Sequence, residues 1–391
     1  MDASTKAPLP TDCSIVTTYR CQMRCEMCSI WEHPTEPTRE IKAEELGLLP
    51  KLKVINITGG EPFVRKDVGE FAELALQKAE LVVVSTSGWH VDRIVSFCRS
   101  FPRVGIRVSI EGLSQSNDRL RGRPSGFDRA IRLLTTLKEM GHRNIGFGMT
   151  VSNRNADDLL PLYRLAKHLG YEFATASFHN SFYFHKTDNE VTERDRVIRN
   201  FLDLAEEQLR ERHPKSWFRA LFNMGLAGYV DGRRRVLPCE AGLANFFVLP
   251  YGDVYPCNGL EDRYWRKRMG NVREARSFDE IWNGEAAQEV RQLVATCPKN
   301  CWMVGTAAPV MKKYLRKTGP WVAKAKLRSL AGRPLRRDLD ALLPRFDVGQ
   351  DPRQGDLADR RGPVDAEGQA VHAARFAGDF DEDERLVQLG R

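Results

Sequence analysis

Six short β-branched runs alternate with segments of helical period over the first 180 residues, and this alternation restricts the fold more than any other feature of the chain. The runs occupy 14–18 (SIVTT), 54–58 (VINIT), 81–86 (LVVVST), 104–110 (VGIRVSI), 145–151 (IGFGMTV) and 173–178 (FATASF). Each is bounded by glycine, asparagine or charged residues, as strands are. Apolar residues recur at helical spacing over 67–79, 91–100, 127–140 and 156–169, and Gly141 and Gly170 stand where such helices end. Strand–helix repetition of this kind builds a parallel sheet, wound open or partly closed as a barrel. Chemistry in such sheets collects at the C-terminal ends of the strands.

Four unusual stretches fall on that rim. Cys21, Cys25 and Cys28 follow the first run, and Thr58-Gly59-Gly60-Glu61-Pro62 closes the second. Ser85-Thr86-Ser87-Gly88 ends the third and Ser109-Ile110-Glu111-Gly112 the fourth. Three thiolates on one loop can hold three irons of a four-iron cubane and leave the fourth iron open to a ligand. A zinc site completed by His33 is the alternative. Two adjacent glycines permit close approach of backbone to a ligand, and the Glu61 carboxylate can accept hydrogen bonds from an ammonium group. Arg121 suits bidentate pairing with a carboxylate. Asn155 reads as a helix cap.

Four further thiols, Cys239, Cys257, Cys297 and Cys301, lie in a small module, enough to ligate a second cluster completely or a zinc ion. A hairpin turn is expected over 250–257 and a helix over 277–296. Cys98 sits in an apolar helical stretch and reads as a core thiol; Cys13 is a stray candidate ligand. The start of the chain has no apolar leader, and no run of eighteen apolar residues occurs. Clustered cysteines then point to metal binding in a reducing, cytoplasmic setting rather than to disulfides.

Cys21-Gln-Met-Arg-Cys25-Glu-Met-Cys28 resembles the signature loop of the radical S-adenosylmethionine (SAM) superfamily. The resemblance implies a [4Fe–4S] cluster whose open iron chelates SAM, and a 5′-deoxyadenosyl radical that abstracts a substrate hydrogen. Met27 stands where the family usually has an aromatic residue, and by this likeness packs on the adenine. Gly59-Gly60-Glu61-Pro62 resembles the family's GGEP motif, which lies against the methionine amino group. Ser85 and Ser87 resemble its polar third-strand end, and Ser109 and Glu111 its contacts to cofactor carboxylate and ribose. Arg121-Gly122 followed by Gly126-Phe127-Asp128 resembles a stretch recurrent in one subgroup. Cys239-Glu-Ala-Gly, the GDVYPC turn at Cys257, Gly270-Asn-Val and SFDEIW resemble the shortened SPASM, or twitch, module, which implies one auxiliary [4Fe–4S] cluster. The resemblance spans about 12–305. It implies an α/β fold, a partial (β/α)6 TIM-like barrel with a small C-terminal iron–sulfur module, and an external electron donor such as flavodoxin or ferredoxin.

The expected organisation is an extension (1–12), a barrel core (13–190), a helical connector (191–235) with helices at 192–212 and 216–230, the auxiliary-cluster module (236–305), a basic helical segment (306–340) and a charged, disordered tail (341–391). The favoured substrate is a small molecule: a sugar, an aminocyclitol or a nucleotide- or lipid-linked sugar. Peptide maturation, epimerisation and decarboxylation are the alternatives, the first disfavoured because only a dozen residues precede the first strand. A cysteine–zinc nucleic-acid-binding protein is the reading from another class; no nucleic-acid motif supports it. Within His179-Asn-Ser-Phe-Tyr-Phe-His185, Tyr183 and His185 are candidate proton-transfer residues. Residues 312–337 contain no acid and read as a solvated basic helix or a membrane-surface contact.

Overall fold

The computed structural model describes residues 6–259, 267–297, 299–333, 335 and 339–343. Its first six strands are β1 (Asp12–Val16), β2 (Leu52–Thr58), β3 (Ala79–Thr86), β4 (Gly105–Ser109), β5 (Ile145–Val151) and β6 (Glu172–Ser177). They lie in the order β6-β5-β4-β3-β2-β1 with every neighbouring pair parallel. Between them run α1 (Val68–Lys78), α2 (Val91–Ser100), α3 (Ser114–Arg121), α4 (Gly126–Glu139) and α5 (Leu159–Leu169). This is the parallel α/β sheet that the alternation of runs implies, in the partial (β/α)6 barrel form that the family resemblance implies.

Side-chain alternation along the strands separates two environments. Ile55, Ile57, Val82, Val84, Ile106, Val108, Phe147 and Met149 join one apolar core with Phe71 of α1, Ile94 of α2, Leu133 of α4 and Leu162 of α5. The alternate positions are half-buried and small or polar: Asn56, Thr58, Ser85, Ser109, Gly148 and Thr150. That second face lines the inside of the partial barrel. Strand β1 leaves the ladder two residues sooner than its β-branched run suggests. Thr17 instead donates from its backbone to the Thr58 carbonyl, and the Thr18 carbonyl accepts from Gly60. Cys98 is buried in the core of α2, as expected.

Two antiparallel-packed helices follow, α6 (Arg194–Arg210) and α7 (Pro214–Val230). The chain then returns to the sheet. Strand β7 (Asn245–Val248) pairs parallel with β1, and β8 (Asp253–Tyr255) and β9 (Gly270–Asn271) extend the same sheet antiparallel. The expected helix over 277–296 is two, α8 (Phe278–Asn283) and α9 (Glu285–Ala295), because the backbone at Gly284 is extended (ψ 163°). The basic segment forms α10 (Val304–Lys313) and α11 (Leu315–Leu330). The tail expectation for 341–391 lies, apart from 341–343, outside the described residues. No helix among the described residues is long and apolar enough to cross a membrane.

Candidate iron–sulfur and cofactor site

The cysteine loop leaves the end of β1 and is pinned on both sides. Arg24 and Glu26 donate from their backbone N–H groups to the carbonyls of Arg121 and Leu120 at the end of α3 (3.2 and 2.9 Å). Gly122, left-handed at φ 63°, lets this approach happen: a Cβ there would lie 2.3 Å from the Arg24 carbonyl oxygen. On the other side Gly60 N–H donates to the Thr18 carbonyl (2.7 Å) and Glu61 N–H to the Arg20 carbonyl (3.0 Å). A Cβ on Gly59 or Gly60 would come within 2.5 Å of the carbonyl oxygen of Thr18 or Arg20. The glycine pair is thus required for close packing against the chain's own backbone.

All nine cysteines are unbridged thiols. Burial pushes Cys21 and Cys28 up to about 12, with Glu61 adding to Cys21 and Cys25 adding to both. Cys25 is raised as well, chiefly by burial, against the opposing pull of Arg121. Three adjacent thiols held this way ionise only when a cation compensates them, which is the donor chemistry of an iron–sulfur cluster. His33 stacks on His185 with ring centroids 4.3 Å apart. Among the described residues no three histidine, cysteine or acidic side chains close round a single ion.

Glu61 is fully buried, and both of its oxygens are taken by the protein. Oε1 accepts from Phe63 N–H (3.1 Å) and from the Thr86 hydroxyl (2.8 Å), and Oε2 accepts from the Ser87 N–H (2.7 Å) and the Ser87 hydroxyl. The Glu61 side chain therefore ties the rim of β2 to that of β3, and is not the free acceptor the motif suggests. Ser87 in turn accepts from Gln22 Nε2 of the cysteine loop (2.9 Å). Pro62 is buried and opens a single helical turn. Ser85 donates to Asn56 (2.9 Å) inside the barrel, where Ser109 is half-buried. Met27 is buried in the main core.

Glu111 and Arg121 form a buried pair at the end of β4, Arg121 Nη1 donating to Glu111 Oε1 (3.2 Å) while Thr150 N–H donates to Oε2 (2.6 Å). Burial raises the Glu111 carboxyl above its ordinary range despite these partners. Arg121 Nε is buried without a partner. Asn155 occupies the N-cap position of the short helical turn Ala156–Asp158, as expected, but its side chain makes no capping bond: its amide donates to the carbonyls of Glu111 and Thr150 (both 2.9 Å) and braces β4 to β5.

The structure redirects the reading of residues 179–185. The Tyr183 hydroxyl donates to the Gly59 carbonyl (3.0 Å), so this buried side chain pins the glycine loop. His185 adopts a left-handed backbone (φ 50°) and lies between His33 and Tyr19. The unpartnered groups are two others at the end of β6, Ser177 Oγ and His179 Nε2. His179 Nδ1 faces the Ser177 carbonyl (3.2 Å), and burial holds the ring below its ordinary value, with Lys299 adding to the effect. Sequence shows residue type here but not side-chain direction, so nothing in it marks His179 over His185.

The second thiol set converges near β8. Burial raises Cys257 well above its ordinary range, with Cys239, Cys301 and Cys297 all close enough to contribute. Cys297 is raised by burial and by Cys239, opposed by Lys299 and Arg235. Arg235 also donates to the Cys301 carbonyl.

A partial barrel with three thiols on its rim, and four more that flank the hairpin added to the same sheet and the helix α9 that follows it, defines an iron–sulfur enzyme. The Radical SAM superfamily model matches residues 15–166, and an iron–sulfur cluster-binding SPASM domain matches 239–302. The chain belongs to the radical SAM superfamily and carries a SPASM-type module, with SAM and iron–sulfur clusters as its cofactors. It is similar to Fe-coproporphyrin III synthase of Methanosarcina barkeri, at 28% identity over 68% of this chain and 71% of the relative. It is similar also to mycofactocin maturase MftC of Mycolicibacterium smegmatis, at 26% identity over 70% and 71%. In fold it resembles Streptococcus suis SuiB bound to SAM, with a TM-score of 0.56 at 14% identity, covering 72% of this chain and 68% of that one. The names of these relatives give no support to the sugar or cyclitol substrate.

Proposed function

We propose that this enzyme carries out a radical maturation of a peptide. In this reading 13–190 is the catalytic core, 191–235 a connector and 236–305 the auxiliary module. Cys21, Cys25 and Cys28 hold the SAM-binding cluster, and Cys239, Cys257, Cys297 and Cys301 hold one auxiliary [4Fe–4S] cluster. The bound group supplies a 5′-deoxyadenosyl radical once an electron arrives from a donor of the flavodoxin or ferredoxin kind. Arg121, oriented by Glu111, offers its unpartnered Nε edge to the SAM carboxylate, and that orphaned donor is the best local sign of a missing anionic group. Met27, Ser85 and Ser109 shape the wall for the nucleoside. Glu61 and Ser87 keep the rim rigid.

The observation that carries the substrate class is a polar cavity of about 280 Å³ beside the cysteine loop. Glu26, which lies between Cys25 and Met27, forms one wall; Arg154, Lys186, Asp188, Asn189 and Glu190 form others. A wall of alternating charge and amide suits a polar chain rich in hydrogen-bonding groups. The likeness to a maturase over 70% of the chain supports a peptide as that substrate. A tetrapyrrole is the second reading, favoured by the likeness to Fe-coproporphyrin III synthase.

The test is anaerobic incubation of reconstituted enzyme with SAM, dithionite and either synthetic peptides made from any short reading frames found beside its gene or Fe-coproporphyrin III. Substrate-dependent 5′-deoxyadenosine and a mass change in the peptide are expected. Turnover of the porphyrin alone would transfer the conclusion to the second reading.

A further inference from the structure

Helix α11 presents a surface that the chemistry at the rim does not use. Its inner face, Thr318, Val322, Ala325 and Lys326, is buried, and the helix packs against α6 and α7. Its outer face carries exposed leucines among its cations, which a purely solvated helix does not need. Leu327 and Leu330 are 66% and 67% exposed, more than any other large apolar side chain among the described residues, and Leu315 is 50% exposed. At 100° per residue Leu330, Ala323, Leu327, Pro320 and Ala331 share one outward arc. Arg316 lies within it, and Lys324 and Arg328 run along one side. Two neighbouring basic groups serve the interior: Lys313 pairs with Glu240 (2.6 Å), and Lys326 donates to the carbonyls of Leu209 and Glu211 (both 2.7 Å). Arg316, Lys324 and Arg328 are exposed beside the leucines, and 312–337 holds no acid.

An apolar strip bordered by arginine and lysine is complementary to one kind of surface. Leucines enter the boundary between headgroups and acyl chains, to a depth of roughly 5–10 Å, while the flanking cations meet lipid phosphates. We propose that α11 is a bilayer-contact helix, lying flat on an anionic membrane surface and bringing the enzyme there without spanning it. The claim is independent of the substrate, since none of these residues lies at the rim.

The test uses the full-length, iron-loaded chain, sedimented with phosphatidylcholine vesicles with or without phosphatidylglycerol. Binding to the anionic vesicles, weakened by salt, and little binding to the neutral ones are expected. Leu327→Glu with Leu330→Glu lowers the bound fraction at least about tenfold, and Arg316→Gln with Lys324→Gln and Arg328→Gln removes the preference for phosphatidylglycerol. Both variants keep wild-type iron content, because these side chains are exposed. Absence of wild-type binding would overturn the proposal, as would a leucine variant that binds like wild type. Cross-links from Lys324 to the acidic stretch 379–384, persisting unchanged with vesicles present, would assign the face to the chain's own C-terminal segment and also overturn it. A wild-type dimer lost in the leucine variant, with no vesicle binding, would assign it to a second copy.

Discussion

Glu61→Gln separates two roles for the rim glutamate that its motif leaves open. Glu61 is fully buried and accepts from two backbone N–H groups, Phe63 (3.1 Å) on Oε1 and Ser87 (2.7 Å) on Oε2, and from the hydroxyls of Thr86 and Ser87. A glutamine amide has only one acceptor end. The hydroxyls can reorient to accept from its NH2 group, but the backbone N–H groups cannot. Whichever way the amide turns, one backbone N–H faces an NH2 and is buried unpaired. A lost hydrogen bond to a charged acceptor is worth about 1.5–3 kcal/mol, and stranding a buried donor costs about 1–3 kcal/mol, part of it the same energy. A destabilisation of about 3 kcal/mol follows, a fall in Tm of roughly 6 °C for a domain of some 200 residues. The assay is thermal unfolding of anaerobically reconstituted protein, paired with SAM binding measured well below the transition. A lowered Tm with SAM affinity within about tenfold of wild type is expected. An unchanged Tm together with abolished SAM binding would show that Glu61 contacts the cofactor directly, and the structural reasoning would fail.

Other substitutions test neighbouring parts of the same argument. Arg121→Lys keeps the charge beside Glu111 but loses the planar edge, so SAM binding should weaken at least about tenfold while iron content stays at wild type. Tyr183→Phe removes one hydrogen bond to the Gly59 carbonyl and should cost about 1 kcal/mol of stability without the hundredfold or greater loss of turnover expected of a proton-transfer group. Ser181→Ala cuts the bond from its hydroxyl to the Asn258 carbonyl and should lower Tm while leaving about eight irons per chain; loss of about four would place Ser181 in cluster retention. Glu40 is enclosed by Thr18, Thr35, Arg20 and Arg65. Burial alone would raise its carboxyl, but these partners outweigh it and hold it below the ordinary 4.5. Its folded value is depressed, so its stabilisation is present above about pH 4.5 and is lost as pH falls through the lower folded value. Glu40→Gln should cost about 3 kcal/mol at pH 7, and urea titrations should show that gap closing in acid.

The strands were legible because parallel strands buried on one face read as β-branched runs, and the cysteine spacing marks the rim without any structure. Helix α3 was missed: SQSNDRLR has almost no apolar period, and the helix is held by its left-handed Gly122 C-cap and by its contact with the cysteine loop. The split at Gly284 was missed because apolar period carries across a single glycine. The misreadings at the site share one cause. Tyr183, His185, Glu61 and Asn155 have the chemistry of catalysis, ligand binding or capping, but a side chain's role depends on which partner lies opposite it. Those partners, the Gly59 carbonyl that accepts from Tyr183, the Phe63 and Ser87 N–H groups that donate to Glu61 and the Glu111 carbonyl that accepts from Asn155, are backbone groups distant in sequence or supplied by the fold of a turn.

The placement of the second thiol site could not be read from the chain for a similar reason, yet it follows directly from the sheet. Parallel pairing of β7 with β1, Asp12 opposite Asn245, requires a chain return after more than two hundred residues, and no local pattern announces such a partner. Once that pairing forms, β8 and the turn to Cys257 extend from the same sheet that places Cys21 at the end of β1. The turn at 181–186 then ties both sites laterally. Ser29 N–H donates to the Phe184 carbonyl, Tyr183 reaches Gly59, and Ser181 reaches Asn258 beside Cys257. The ring of Phe182 lies 5.1 Å from that of Tyr255. A module attached by a flexible linker would have none of these bonds. Here the two thiol sets share one frame, so a change at either is transmitted through hydrogen bonds to the backbone as well as through charge. Any account of the auxiliary cluster as an electron partner must therefore first subtract its mechanical effect on the glycine loop.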